Sequence, residues 1–119
     1  MTMDGNDDDA ALLGAARRIE RQSRSRSAVF EAHPGLFRDP AWSMLLAIFI
    51  ADHDRGPLPV KSLGASSGVP MTTALRYVML LEEAGLIEKN RSTKDRRSTL
   101  VRLSQQGRKR MVAFLNSQV

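Results

Sequence analysis

The chain has 119 residues, 42% of them hydrophobic, enough for the core of one domain and too few for two. It lacks cysteine, which excludes disulfides, thiolate metal sites, cysteine nucleophiles and thiol redox sensing. Its 18 Lys and Arg exceed its 13 Asp and Glu by +5, but Asp4, Asp7, Asp8 and Asp9 all stand in the first nine residues, so residues 10–119 carry +9.

Residues 1–9 read as a disordered acidic tail, with high charge and little to bury. A first helix is expected from Asp8 or Asp9, because acidic residues favour the positive end of the helix dipole. Leu12, Ala16 and Ile19 fall on one face of it. The helix continues with a weaker pattern into Arg21–Phe30. There Arg24-Ser25-Arg26-Ser27 reads as a solvated face, with a flexible nucleic-acid-touching segment as the alternative.

His33-Pro34-Gly35 breaks the chain. Asp39-Pro40 then opens a second helix, to about His53. Asp39 caps the free N–H groups, and proline suits the first helical position. Trp42, Leu45, Leu46, Phe49 and Ile50 make this helix apolar over most of its circumference, which predicts a central, buried element. Its run Met44–Ala51 is the longest apolar stretch, at eight residues. That is well short of the roughly 18–20 needed to span a bilayer. The acidic N-terminus has no apolar signal core either, so a soluble, cytoplasmic protein without a membrane partner is expected.

Asp52–Pro59 reads as a loop leading to a very short strand at Leu58 and Val60. A short helix over Lys61–Ser66 and a turn at Gly68 follow. A fourth helix runs from Pro70 or Met71 to Ala84, stopped by Gly85. Ala74, Val78 and Leu81 make its buried face. Thr72, Arg76, Leu80 and Glu83, with Met79 beside them, lie opposite. Leu86–Lys89 and Thr99–Leu103 read as strands of a hairpin, with the basic loop 90–98 between them. Ser104 caps a last helix to about Gln118, with Met111, Val112, Phe114 and Leu115 on its apolar side.

Residues 89–110 contain nine bases and one acid, half of all the positive charge in about a fifth of the chain. Such a block points to a polyanion, above all nucleic acid. The fold class that follows is mainly α with a small β-hairpin, a winged helix-turn-helix. The DNA-binding set is Lys61, Met71, Thr72, Thr73, Arg76, Arg91, Lys94, Arg96 and Arg97. The start of the fourth helix meets base edges in the major groove. Thr72 and Thr73 can bond bases or phosphates, Met71 or a threonine methyl can pack on a thymine methyl, and Arg76 can read guanine. A bidentate contact of that kind is worth about 1–3 kcal/mol of discrimination. The wing reaches the minor groove. Asp95, its only acid, is expected to pair with Arg97 or Arg96 and shape the tip.

The readings weighed against these are a surface salt bridge from Arg76 to Glu83, a solvated wing, and a metal at Asp52-His53-Asp54. Adjacent residues rarely converge on one ion, so no metal or other cofactor is expected. Trp42 belongs to the core rather than to a base-stacking platform. The sequence shows no Ser/His/Asp set, paired carboxylates or phosphate-cradling glycine loop, and an enzyme is not expected. Exposed Met79 and Leu80 motivate a protein-interaction adaptor as the alternative function, and nonspecific chromosome binding is a third.

Several segments together resemble the MarR family of winged helix-turn-helix transcription regulators. They are Leu36-Phe37-Arg38-Asp39-Pro40-Ala41-Trp42, the run from Gly68 to Arg76, Leu81-Glu82-Glu83-Ala84-Gly85-Leu86-Ile87, Asp95-Arg96-Arg97, and Leu103-Ser104-Gln105-Gln106-Gly107. The Asp-Arg-Arg tip followed by Leu-Ser-x-x-Gly is the most specific part. The resemblance implies a homodimer joined through its N- and C-terminal helices. It also implies a pseudo-palindromic double-stranded DNA site, with Thr72, Thr73 and Arg76 on the base-reading face and Arg96 and Arg97 at the minor groove. Repression is the expected outcome. Pro70 departs from the Ser or Thr cap of many members. Members also extend further at the C-terminus, where their last helices complete the dimer and border a small-molecule effector pocket. With a chain reaching Val119, both features are expected to be reduced.

Overall fold

The computed structural model describes residues 5–29, 39–95 and 97–118, without the side chains of residues 5–8 and 23–29. The His33-Pro34-Gly35 breaker, Leu36-Phe37-Arg38 and Arg96 lie outside the described residues. The elements are α1 (Gly5–Val29), α2 (Pro40–Asp54), β1 (Leu58–Pro59), α3 (Val60–Ser67), α4 (Met71–Glu83), β2 (Ile87–Arg91), β3 (Thr99–Leu103) and α5 (Gln105–Asn116). No helix among the described residues is long and apolar enough to cross a membrane.

α2 is the hub. Asp39 accepts the Trp42 N–H at 3.3 Å and Pro40 takes the first helical position, as the sequence predicts. Met44, Leu46, Ile48 and Phe49 are all buried to 1% exposure or less, so the helix is enclosed on several sides at once. It packs against α1, α3, α5 and β3. Burying one such large apolar side chain is worth about 1.5–3 kcal/mol. Trp42 is half-buried against this core and meets Phe114 of α5 edge to face, with ring centroids 5.1 Å apart.

α1 begins at Gly5, not at Asp8 or Asp9, so residues 5–9 of the expected disordered tail belong to its first turns. The physical reason is visible at Asp9. It faces His53 Nε2 at 3.4 Å and Arg108 at 3.6 Å, which ties the acidic end of the helix to α2 and α5. Leu12 and Ala16 are buried as expected, with Ala15 beside them and Ile19 packed against the core. Arg17 pairs with Asp54, and Arg18 donates to the Gln118 carbonyl at 2.9 Å.

The sheet has three strands in the order β1-β3-β2, all antiparallel. β1 opposes Leu100 and Val101, so the hairpin is anchored to the body through its second strand. β2 runs to Arg91, two residues beyond the expected end at Lys89. Asn90 and Arg91 stay in register opposite Leu100 and Thr99. Buried Val101 and Leu103 alternate with exposed Arg102, the period-2 pattern read from the sequence.

Candidate nucleic-acid interface

Two joints aim the outward face of α4. At its start, Gly68 adopts φ +69°, a left-handed conformation that costs glycine little, and Val69 N–H returns to the Gly64 carbonyl at 3.2 Å. This turn sets α4 across α3, with Leu63 and Ala74 buried in the same core. At the end of α4, Ser104 acts as a clamp. Its Oγ donates to the Gly85 carbonyl at 2.6 Å and accepts the Gly107 N–H at 2.9 Å, while its own N–H donates to the Leu86 carbonyl at 3.0 Å. α5 comes so close here that a Cβ on Gly107 would stand 2.0 Å from the Leu86 oxygen. The Leu-Ser-x-x-Gly motif is thus a joint that fixes the wing relative to α4. Asp52 adds a third tie, accepting the Leu103 N–H at 3.2 Å. Burial is the main influence on its carboxyl and raises its pKa. The Leu103 hydrogen bond and the nearby Arg108, Arg102 and His53 pull the other way.

With Ala74, Val78 and Leu81 buried, α4 turns Thr72, Arg76, Met79, Leu80 and Glu83 to solvent, as the spacing predicts. Thr73 is half-buried at the margin. Met71 opens onto a cleft of about 270 Å³ that it shares with Lys61 at the start of α3 and with Arg97 and Thr99 of the wing. Lys61, Met71 and Arg97, distant in sequence, are therefore brought together. Leu75, Lys89 and Ser98 line the same cleft, and none of them stands in the set read from the sequence. Leu75 had a signal, since it sits one turn beyond Met71 on the same face.

The wing tip is built by short side chains. Ser92 Oγ accepts the N–H groups of Lys94 and Asp95, each at 3.2 Å, and Ser92 N–H donates to the Ser98 carbonyl at 2.9 Å. Asp95 accepts the Arg97 N–H at 3.0 Å and faces its Nε at 3.6 Å, while the Arg97 side chain stays 94% exposed. Asp95 thus shapes the tip without removing Arg97 from solvent. Lys94 and Arg91 are also exposed. Arg96 lies outside the described residues.

The structure divides the basic block. Lys89 pairs with Glu82 at 3.2 Å, Arg102 with Glu88 at 3.3 Å, Arg108 with Asp9 and Arg97 with Asp95, so four of its described bases face an acid, Arg97 while still exposed. Arg76 makes no ion pair with Glu83 or any other described residue. No acid occurs between Asp54 and Glu82, so the whole helix-turn-helix face up to Leu81 is neutral or basic. The side chains of Asp52, His53 and Asp54 go to three different partners, Leu103, Asp9 and Arg17. Among the described residues no three or more His, Cys, Asp or Glu side chains are placed to hold a metal ion together.

Known proteins share this fold. The sequence model of the MarR family matches residues 53–99, from the end of α2 to the start of β3. Among solved structures, the chain is similar to the transcriptional repressor CouR bound to a 23-mer DNA duplex. That match has 25% identity and a TM-score of 0.53, over 63% of this chain and 49% of that one. It is similar to a probable transcriptional regulator from Pseudomonas aeruginosa at 29% identity and a TM-score of 0.52, over 84% of this chain and 78% of that one. A MarR family transcriptional regulator from Silicibacter pomeroyi shares the fold at 23% identity and a TM-score of 0.55, over 82% and 61%. The chain spans about half the length of CouR. No curated protein matches it.

Proposed function

On a MarR-type winged helix-turn-helix as premise, we propose that this chain is a sequence-specific double-stranded DNA-binding transcriptional regulator, a repressor rather than an enzyme. α4 enters the major groove and the wing over residues 90–98 enters the adjacent minor groove. The observation that carries this reading is the joining of Lys61, Met71 and Arg97 around one cleft beside the exposed Thr72 and Arg76, on a face without acids up to Leu81. In their roles Thr72, Thr73 and Arg76 read base edges, Lys61, Arg91 and Lys94 contact phosphates, and Arg96 and Arg97 enter the minor groove.

The regulator acts as a homodimer built on α1 and α5. An apolar groove lined by Trp42, Leu45, Leu86, Met111 and Phe114 supports this, with Phe114 42% exposed at its edge. Selection from a pool of random duplexes tests both parts. The expected product is a motif with two-fold symmetry and half-sites about one helical turn apart. Failure to retain any duplex at low salt would overturn the DNA-binding reading, and an asymmetric motif the dimer.

A further inference from the structure

The geometry points to Leu75, together with Met71, as a reader of thymine C5-methyl groups, an inference that rests on the DNA-binding reading of α4. The first half of that helix displays two parallel rows one turn apart, polar Thr72 and Arg76 beside apolar Met71 and Leu75. Leu75 is 51% exposed and Met71 41%. An amphipathic helix normally spends its apolar residues on the packing face. Here that face is already filled by Ala74, Val78 and Leu81, so the second row adds little to the core. Both residues open onto the cleft whose rim carries Lys61 and Arg97.

An apolar floor under a cationic rim fits a polyanion that also presents apolar points. The major groove of duplex DNA has one apolar group on its base edges, the thymine methyl. A protein partner fits less well. Lysine is depleted where apolar residues form the centre of a protein interface, and here Lys61 lies beside them. The two rows divide the reading, with Thr72 and Arg76 bonding polar edges while Leu75 and Met71 enclose methyls of neighbouring thymines. The favoured site is one with thymines at the positions under α4.

The test uses the tightest duplex recovered from a random pool, synthesised once with thymine and once with uracil at every thymine position. The two present the same hydrogen-bonding edges and differ only in the methyl. The unmodified protein is expected to bind the uracil duplex more weakly, by roughly fourfold for each methyl buried. Leu75→Ala, a change at an exposed position whose folding is checked by thermal unfolding, is expected to bring the two affinities together. Arg76→Ala is expected to weaken both duplexes and keep their ratio. Equal affinity of the unmodified protein for the two duplexes overturns methyl reading and leaves DNA binding intact. An unchanged ratio in Leu75→Ala shows that the methyl effect does not pass through Leu75 and also overturns the inference. No binding to any duplex overturns the DNA-binding reading itself. Loss of a nuclease-resistant protein complex in Leu75→Ala, with no thymine–uracil difference, makes the patch a protein surface instead.

Discussion

At the scale of single residues, Gly107 and Ser104 matter more than their size suggests. Ser104 holds the turn after α4 and the start of α5 through three hydrogen bonds, and Gly107 lets the two backbones meet. A methyl at position 107 cannot fit 2.0 Å from a carbonyl oxygen, so α5 must shift. Gly107→Ala is therefore expected to destabilise the fold by about 1–3 kcal/mol or more, the usual cost of overpacking. It should also weaken DNA binding beyond that loss, because the wing moves with the joint. Chemical denaturation and binding at matched folded fraction check the two effects. A variant as stable as the parent would show that the close approach is relaxed in solution.

At the scale of elements, the wing is the part whose function depends least on the core. Its tip is organised by Ser92 and Asp95, while Arg97, Lys94 and Arg91 extend into solvent. A charge that neutralises a phosphate releases counterions, so each such contact adds close to one unit to the slope of log affinity against log salt. Arg97→Ala is expected to weaken binding to all sequences alike and to lower that slope by about 1. Arg76→Ala, by contrast, should relax discrimination at one base position. Lys89 and Arg102 are already matched by Glu82 and Glu88, so replacing them should alter the slope less. If Arg97→Ala leaves the slope unchanged, the wing does not contact phosphate or minor groove through that residue.

At the scale of the whole molecule, α2 gathers most other elements around it, and Asp52 stands where α2 meets β3. Burial raises its pKa above the ordinary 3.8, so the fold favours its neutral form. The unfolded chain releases this proton first as pH rises, so the cost of ionising Asp52 in the fold grows from about 3.8 up to the raised value and is constant above it. Asp52→Asn keeps an acceptor for the Leu103 N–H and removes that cost. It is expected to be at least as stable as the parent at pH 7, with any advantage gone below pH 3.8. Asp52→Ala leaves the Leu103 N–H without its acceptor and should lose about 1–3 kcal/mol. Thermal unfolding across pH checks both. An Asn variant that loses stability only at neutral pH would show that the carboxylate is a net stabiliser.

The sequence by itself determined the order of elements and the faces of the helices. Caps such as Asp39 and Ser104, the turn at Gly68 and the 3.6- and 2-residue periods act over a few residues. Periodicity alone therefore sets Ala74, Val78 and Leu81 inside and Thr72 and Arg76 outside. The wing motif is legible for the same reason, since Asp95 and Arg97 meet two residues apart. Only the tertiary structure decided which distant groups meet. It brought β1 beside β3, Asp9 to His53 and Arg108, and Leu75 to the same cleft as Lys61 and Arg97. It also matched Lys89, Arg102 and Arg108 with acids, pairings that charge counting cannot see. Local chemistry fixes directions along a chain. The partner across a gap is fixed by packing, which depends on every other element at once.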